Sequence, residues 1–140
     1  MKKRILVVDD EPDVSKSIVF RLQKRGYAVT AAFDGQEALD RVVKEKPDLI
    51  FLDLKLPVLD GYEVCRRVKG DPSLKKIPVI FLTADTSVGI SESAKEAGAE
   101  GFILKPFEPE EIFAIVGKYL DGSDRKREAG NGKQDNPGGG

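Results

Sequence analysis

Ile5-Leu6-Val7-Val8-Asp9-Asp10-Glu11 places four uninterrupted apolar residues directly before three carboxylates. An apolar run of this length, without polar alternation, is the pattern of a strand buried on both faces, as in a parallel sheet covered by helices. Four further runs have a similar character, the first broken only by Thr30: Tyr27 to Ala31, Leu49 to Leu52, Val79 to Leu82 and Phe102 to Leu104. They start between 22 and 30 residues apart, the size of a strand-plus-helix unit.

The gaps carry helical spacing. Val14, Ile18 and Leu22 mark a first helix, stopped by Gly26. A second opens at Asp34 with Glu37 three residues on, a capping-box pattern, and runs through Ala38, Leu39, Val42 and Val43 before Pro47. Val64, Cys65 and Val68 mark a third, ending near Gly70-Asp71-Pro72. The fourth gap, Asp85 to Ala97, is rich in Ser, Thr and Gly and predicts an intrinsically weak helix. A fifth begins at Pro109, a favourable first helical residue, and shows Ile112, Ile115, Val116 and Tyr119. The pattern is α/β: a single (βα)5 domain, a five-stranded parallel sheet with helices on both faces, for which the flavodoxin-like strand order 2-1-3-4-5 is the expectation.

Composition removes whole classes of chemistry. The 140 residues hold 23 Lys plus Arg against 24 Asp plus Glu, a balance unlike that of a nucleic-acid-binding domain. No apolar run approaches the roughly 18 residues of a membrane span, and the four apolar residues after Arg4 are too few for a signal peptide. A single cysteine, Cys65, makes no intramolecular disulfide, which fits a cytoplasmic setting, and its helical spacing with Val64 and Val68 reads as packing. With no His, catalysis by Ser-His-Asp or Cys-His arrangements and His-ligated metal sites are excluded. From Asp121 to Gly140 the only apolar residue is Ala129, while six glycines fall there. Residues 1–120 therefore read as the domain and 121–140 as a flexible polar tail or linker.

In open parallel sheets, sites form beyond the carboxyl ends of the strands, near the switch point of strand order. The first strand ends in Asp9-Asp10-Glu11, the third in Asp53, the fourth in Thr83-Ala84-Asp85 and the fifth in Lys105-Pro106. Order 2-1-3-4-5 brings Asp9, Asp10 and Asp53 into one pocket with Thr83 and Lys105 beside it. Three close carboxylates repel and need a counter-charge, and an oxygen-only donor set suits Mg²⁺, with Mn²⁺ as an alternative. Carboxylates, ammonium, hydroxyl and a hard dication are the parts that hold a transferring phosphoryl group. An Asp after a strand is often only a helix N-cap, and a Lys there is often merely solvated. Functional residues at four strand ends together outweigh that reading. Lys55 and Asp85 are expected at the rim, each two residues beyond a site residue, with two readings open: plain solvated charges, or a pair across the mouth.

These residues also carry a resemblance. Val7-Val8-Asp9-Asp10-Glu11, Leu52-Asp53-Leu54-Lys55-Leu56-Pro57 with Asp60-Gly61, Leu82-Thr83-Ala84 and Lys105-Pro106-Phe107 resemble the receiver domain of bacterial two-component response regulators. The likeness covers residues 1 to about 120, in order. It implies that Asp53 accepts a phosphoryl group and that Asp10 ligates Mg²⁺ directly and Asp9 largely through water. The main-chain carbonyl of Lys55 would add a ligand, and Thr83 and Lys105 would bind phosphoryl oxygens. Phe102 would be the switch aromatic, and Lys105–Pro106 a cis peptide. The phosphodonor implied is a histidine kinase or phosphotransfer protein. The output is a changed surface on the fourth helix, fifth strand and fifth helix, read by a downstream effector, a truncated output domain or a phosphorylation-dependent dimer partner. Such a domain is a phosphorylatable switch rather than an enzyme.

Three other readings fit less well. An FMN-binding protein would need Ser, Thr or Gly for its phosphate loop where Asp9-Asp10-Glu11 stands. A Mg²⁺-dependent phosphatase with an Asp nucleophile would carry Asp-x-Asp after the first strand, whereas Asp9 and Asp10 are adjacent. A non-phosphorylated protein-binding domain on this fold would not need the whole constellation.

Overall fold

The computed structural model describes residues 2–84 and 89–121. Its strands are β1 (Arg4–Val8), β2 (Ala28–Ala32), β3 (Leu49–Asp53), β4 (Val79–Thr83) and β5 (Gly101–Leu104). All pair in parallel, in the order β2-β1-β3-β4-β5. The helices are α1 (Pro12–Lys24), α2 (Gly35–Glu45), α3 (Gly61–Lys69), α4 (Ile90–Glu96) and α5 (Pro109–Val116). The chain divides into two compact units, Met1–Phe107 and Glu108–Gly140. In the second, α5 is capped by the Glu111 carboxylate, which accepts from the Glu108 N–H at 2.8 Å, and continues into a wider helical turn, Gly117–Asp121.

Each apolar run is a strand, and burial grades with position. Every residue of the central strands β3 and β4 is buried, whereas the edge strands β2 and β5 are only partly so. Full burial on both faces thus fails at the edges, where each strand has one neighbour instead of two; Leu104 stays 40% exposed. Alternate strand residues point to opposite faces. Leu6, Val8, Ile50, Leu52, Val79 and Phe81 join Ala38 and Val42 of α2, Val64, Cys65 and Val68 of α3, and Ala94 of α4 in one cluster. On α1, Ile18 and Leu22 are buried alongside β1 and β2.

Helix starts follow local chemistry. The Asp34 carboxylate accepts the Glu37 N–H at 2.7 Å, but the Glu37 carboxylate reaches back to the Phe33 N–H at 2.9 Å rather than to that of Asp34. The capping box is therefore displaced by one residue. Asp60 caps α3 by accepting the Glu63 N–H at 2.9 Å. Helix α4 spans seven residues, Ile90–Glu96, among those described. The start expected for it at Asp85, and the expected tail beyond Asp121, lie outside the described residues. Cys65 is a packing residue: it is buried, its thiol faces the Ala97 carbonyl at 3.3 Å, and burial pushes its pKa up to about 11.

One close approach bears directly on the site. At Gly61, the first residue of α3, a Cβ would overlap the Asp53 carbonyl and lie 2.8 Å from the Leu54 Cα. Both obstacles are main chain, so relief requires moving the end of β3. Gly61→Ala is expected to cost about 1–3 kcal/mol in denaturant unfolding, and to shift the NMR resonances of Asp53 more than those of the distant β2.

Candidate functional site at the carboxyl edge of the sheet

Strands β1 and β3 are neighbours although a whole strand–helix unit separates them in sequence. Their ends therefore deliver Asp9 and Asp53 side by side, and β4 adds Thr83. Asp9, Asp53 and Thr83 are buried, at 0%, 6% and 2% exposure, whereas Asp10 faces solvent. Beyond β5, the Lys105 N–H donates to the Thr83 carbonyl at 2.8 Å, and the Lys105–Pro106 peptide is cis.

The Lys105 ammonium fills the space between the acids. Its Nζ lies 2.8 Å from Asp9 Oδ2 and 3.2 Å from Asp53 Oδ2. The other oxygen of each carboxylate is held by main chain: Asp9 Oδ1 accepts the Glu11 N–H at 2.9 Å, and Asp53 Oδ1 accepts the Lys55 N–H at 3.1 Å. Each Asp thus hydrogen-bonds the backbone two residues on, a turn that short acidic side chains favour, and turns its second oxygen to Lys105. Asp9, Asp10 and Asp53 each offer an oxygen within 4.8 Å of the others'. One ammonium leaves this group net negative, and an all-oxygen donor set of that charge can hold a hard dication.

Burial raises the Asp53 pKa above the usual carboxylate value of 3.8; the Lys55 N–H and Lys105 charge oppose the rise, and the Asp9 charge adds to it. For Lys105, burial acts downward, but the hydrogen bond it donates to Asp9 and the charges of Asp53 and Asp9 outweigh it, so its pKa is raised. The site is coupled: the lysine tolerates burial because of the acids, and the acids tolerate proximity because of the lysine.

The model of the response regulator receiver domain matches residues 5–117, with all these strand ends inside the match. The chain belongs to that family. Over 120 residues this receiver domain is 42% identical to the alkaline phosphatase synthesis transcriptional regulatory protein PhoP of Bacillus subtilis, covering 86% of this chain and 49% of that protein. The chain spans about half the length of the curated relatives it matches. Among solved structures, chemotaxis response regulator CheY4 of Vibrio cholerae is 33% identical with a TM-score of 0.80, covering 86% of this chain and all of that one. A CheY-like receiver domain protein from Methanospirillum hungatei is 28% identical with a TM-score of 0.81, covering 90% and 99%.

Of the residues expected at the site, Asp9, Asp10, Asp53, Thr83 and Lys105 stand at the carboxyl ends of the strands, the acids and the lysine within one cluster. Lys55 is exposed beside it, bound to Asp53 through its main-chain N–H. Phe102, paired with Phe81 across β4 and β5, is half-buried against the core. Asp85, and with it a Lys55–Asp85 pair, lies outside the described residues. One contact was not legible in the sequence: the Glu11 carboxylate also reaches Lys105, at 3.2 Å. Glu11 borders a groove of about 570 Å³ lined by Val14, Ile18, Lys105, Pro106 and Phe107. Its place after two acids was visible; its direction was not.

Two stability outcomes follow. Because the folded-state pKa of Asp53 is raised, ionising it costs stability, and stability falls as pH rises through the window above 3.8. Asp53→Asn should therefore raise the melting temperature at neutral pH, with a gain that shrinks as pH falls toward that value. Lys105→Met should cost about 1–3 kcal/mol, by leaving Asp9 buried without a cation. Calorimetry on the double variant should show a loss smaller than the sum, since Asp53→Asn removes one of the two stranded charges.

Proposed function

We propose that Asp53 is the phosphoacceptor and that this receiver domain takes a phosphoryl group from a histidine kinase or phosphotransfer protein. One observation carries the reading: a buried aspartate shares a single lysine ammonium with a second buried aspartate at the switch point of the sheet. An Asp53 oxygen attacks phosphorus as the bond from phosphorus to the donor atom breaks, and the electron pair of that bond leaves with the donor. Lys105 and the Thr83 hydroxyl receive the phosphoryl oxygens. Asp9, Asp10, Asp53 and the main-chain carbonyl of Lys55 would hold Mg²⁺, or Mn²⁺ in its place, which supplies positive charge that Lys105 alone does not. The same groups assist transfer and later hydrolysis, so the domain is a switch with limited phosphatase activity on itself.

Residues 1–120 are the receiver and 121–140 a polar linker in this reading. The match to half of longer transcriptional regulators supports an output domain in the native protein; a cytoplasmic setting and a phosphorylation-dependent dimer belong to the same proposal. Asp53→Asn should abolish acid-labile incorporation of one phosphoryl group from a small phosphodonor, and chelation of divalent metal should do the same to the unaltered chain. Labelling at Asp53 with all metal chelated would overturn the mechanism.

Phe102 is the residue through which the surface responds. It is half-buried one strand from Phe81, and a Phe ring moving inward needs no new hydrogen-bond partner. Helix α4, short and without a side-chain cap, has little local stability to resist the change. Amide exchange should therefore differ between the free domain and one bearing a phosphoryl mimic over residues 90–104, and hardly at all in β1.

A further inference from the structure

We infer that Glu11 is a positioning residue acting through Lys105: it retains the ammonium at the site mouth when a dication occupies the acidic cluster, and so slows phosphoryl transfer. The inference rests on the proposed function above. Among the described residues three carboxylates touch Lys105 Nζ: Asp9 at 2.8 Å, and Asp53 and Glu11 at 3.2 Å each. They are not equivalent. Asp9 and Asp53 belong to the converging group that can hold a metal, and Glu11 does not. A dication beside Asp9 and Asp53 offsets their charge and weakens their hold on the ammonium. Glu11, held outside that group at the start of α1, keeps its full charge.

The direction of its pull follows from exposure. The Glu11 side chain is 61% exposed, while those of Asp9 and Asp53 are 0% and 9% exposed. Glu11 therefore draws Lys105 outward, toward the groove along α1, whereas phosphoryl oxygens on Asp53 would draw it inward. The exposed pair competes with the transferring group for one lysine. An exposed ion pair is weak, which suits a brake that the phosphoryl group must displace.

Two substitutions separate holding from mere charge. Glu11→Gln removes the charge and leaves at most a neutral amide acceptor for the ammonium, whereas Glu11→Asp keeps the charge but is one methylene shorter and loses a contact already at 3.2 Å, so the ion pair is lost in both. With acetyl phosphate, the Asp53 carboxylate oxygen bonds phosphorus while the bond from phosphorus to the acetyl oxygen breaks and acetate leaves with the electron pair. Both variants should be labelled about two- to fivefold faster than the unaltered chain in Mg²⁺. NMR of the Lys105 ammonium supplies a readout that needs no phosphorylation. It should show little change in either variant without metal, where Asp9 and Asp53 still hold the lysine, and a marked gain in mobility in both with Mg²⁺. If Glu11→Asp matches the unaltered chain in labelling rate and ammonium mobility, the effect is one of field alone and the inference falls. Equal mobility in all three proteins with Mg²⁺ overturns it as well. Failure of the unaltered chain to label at all would instead strike the phosphoacceptor reading, while the NMR comparison still decides the role of Glu11.

Discussion

A single ammonium group makes the carboxyl edge of this sheet possible. Asp9 and Asp53 are brought side by side by adjacent parallel strands, both are buried, and neither can turn to bulk water for solvation. Lys105, arriving from the far side of the sheet, lies within 3.2 Å of both. Each carboxylate spends one oxygen on a main-chain N–H two residues on and presents the other to the lysine. Each carboxylate is thus placed through its own backbone, the kind of preorganisation that electrostatic assistance to a transferring group draws on.

The scaffold holds that arrangement by packing the strands from which it projects. β3 and β4 are buried throughout, and the first turn of α3 closes against the end of β3 so tightly that only glycine fits at position 61. Opposite demands meet at β5. It is an edge strand, partly exposed, yet its end delivers Lys105 and its middle carries Phe102. A lysine tied to the acids and an aromatic ring at the boundary of the core sit three residues apart on the least buried part of the first unit's sheet.

The likeness to receiver domains extends over the residues that form the site, while the curated relatives are about twice as long as the chain. Phosphoacceptor signalling is the common property of that family, and the acidic cluster with its lysine supplies matching chemistry here. Nothing in the geometry favours a phosphatase or an FMN site. The acids are adjacent at positions 9 and 10, and the groove beside them carries Glu11 and Asp13, a poor lining for a flavin phosphate.

Uninterrupted apolar runs declared the strands, and the polar residues closing them declared the site, because a strand buried on both faces can place polar groups only at its ends. Asp9, Asp10, Asp53, Thr83 and Lys105 were legible for that reason. So were the helix starts at Asp34 and Pro109, since the signals that open a helix are local. Tertiary structure alone decided the rest. The partial burial of β2 and β5 follows from their having one neighbour, a fact of strand order that residue type does not encode. The Glu37 carboxylate chose the Phe33 N–H over that of Asp34 because a long side chain has several donors within reach. Glu11 is the clearest case. Its neighbours in sequence place it beside the site, but its contact with Lys105 spans 94 residues and depends on the direction of a flexible, largely exposed side chain. Periodicity reports which face a backbone position occupies; it carries no information on where a long charged side chain finds its partner.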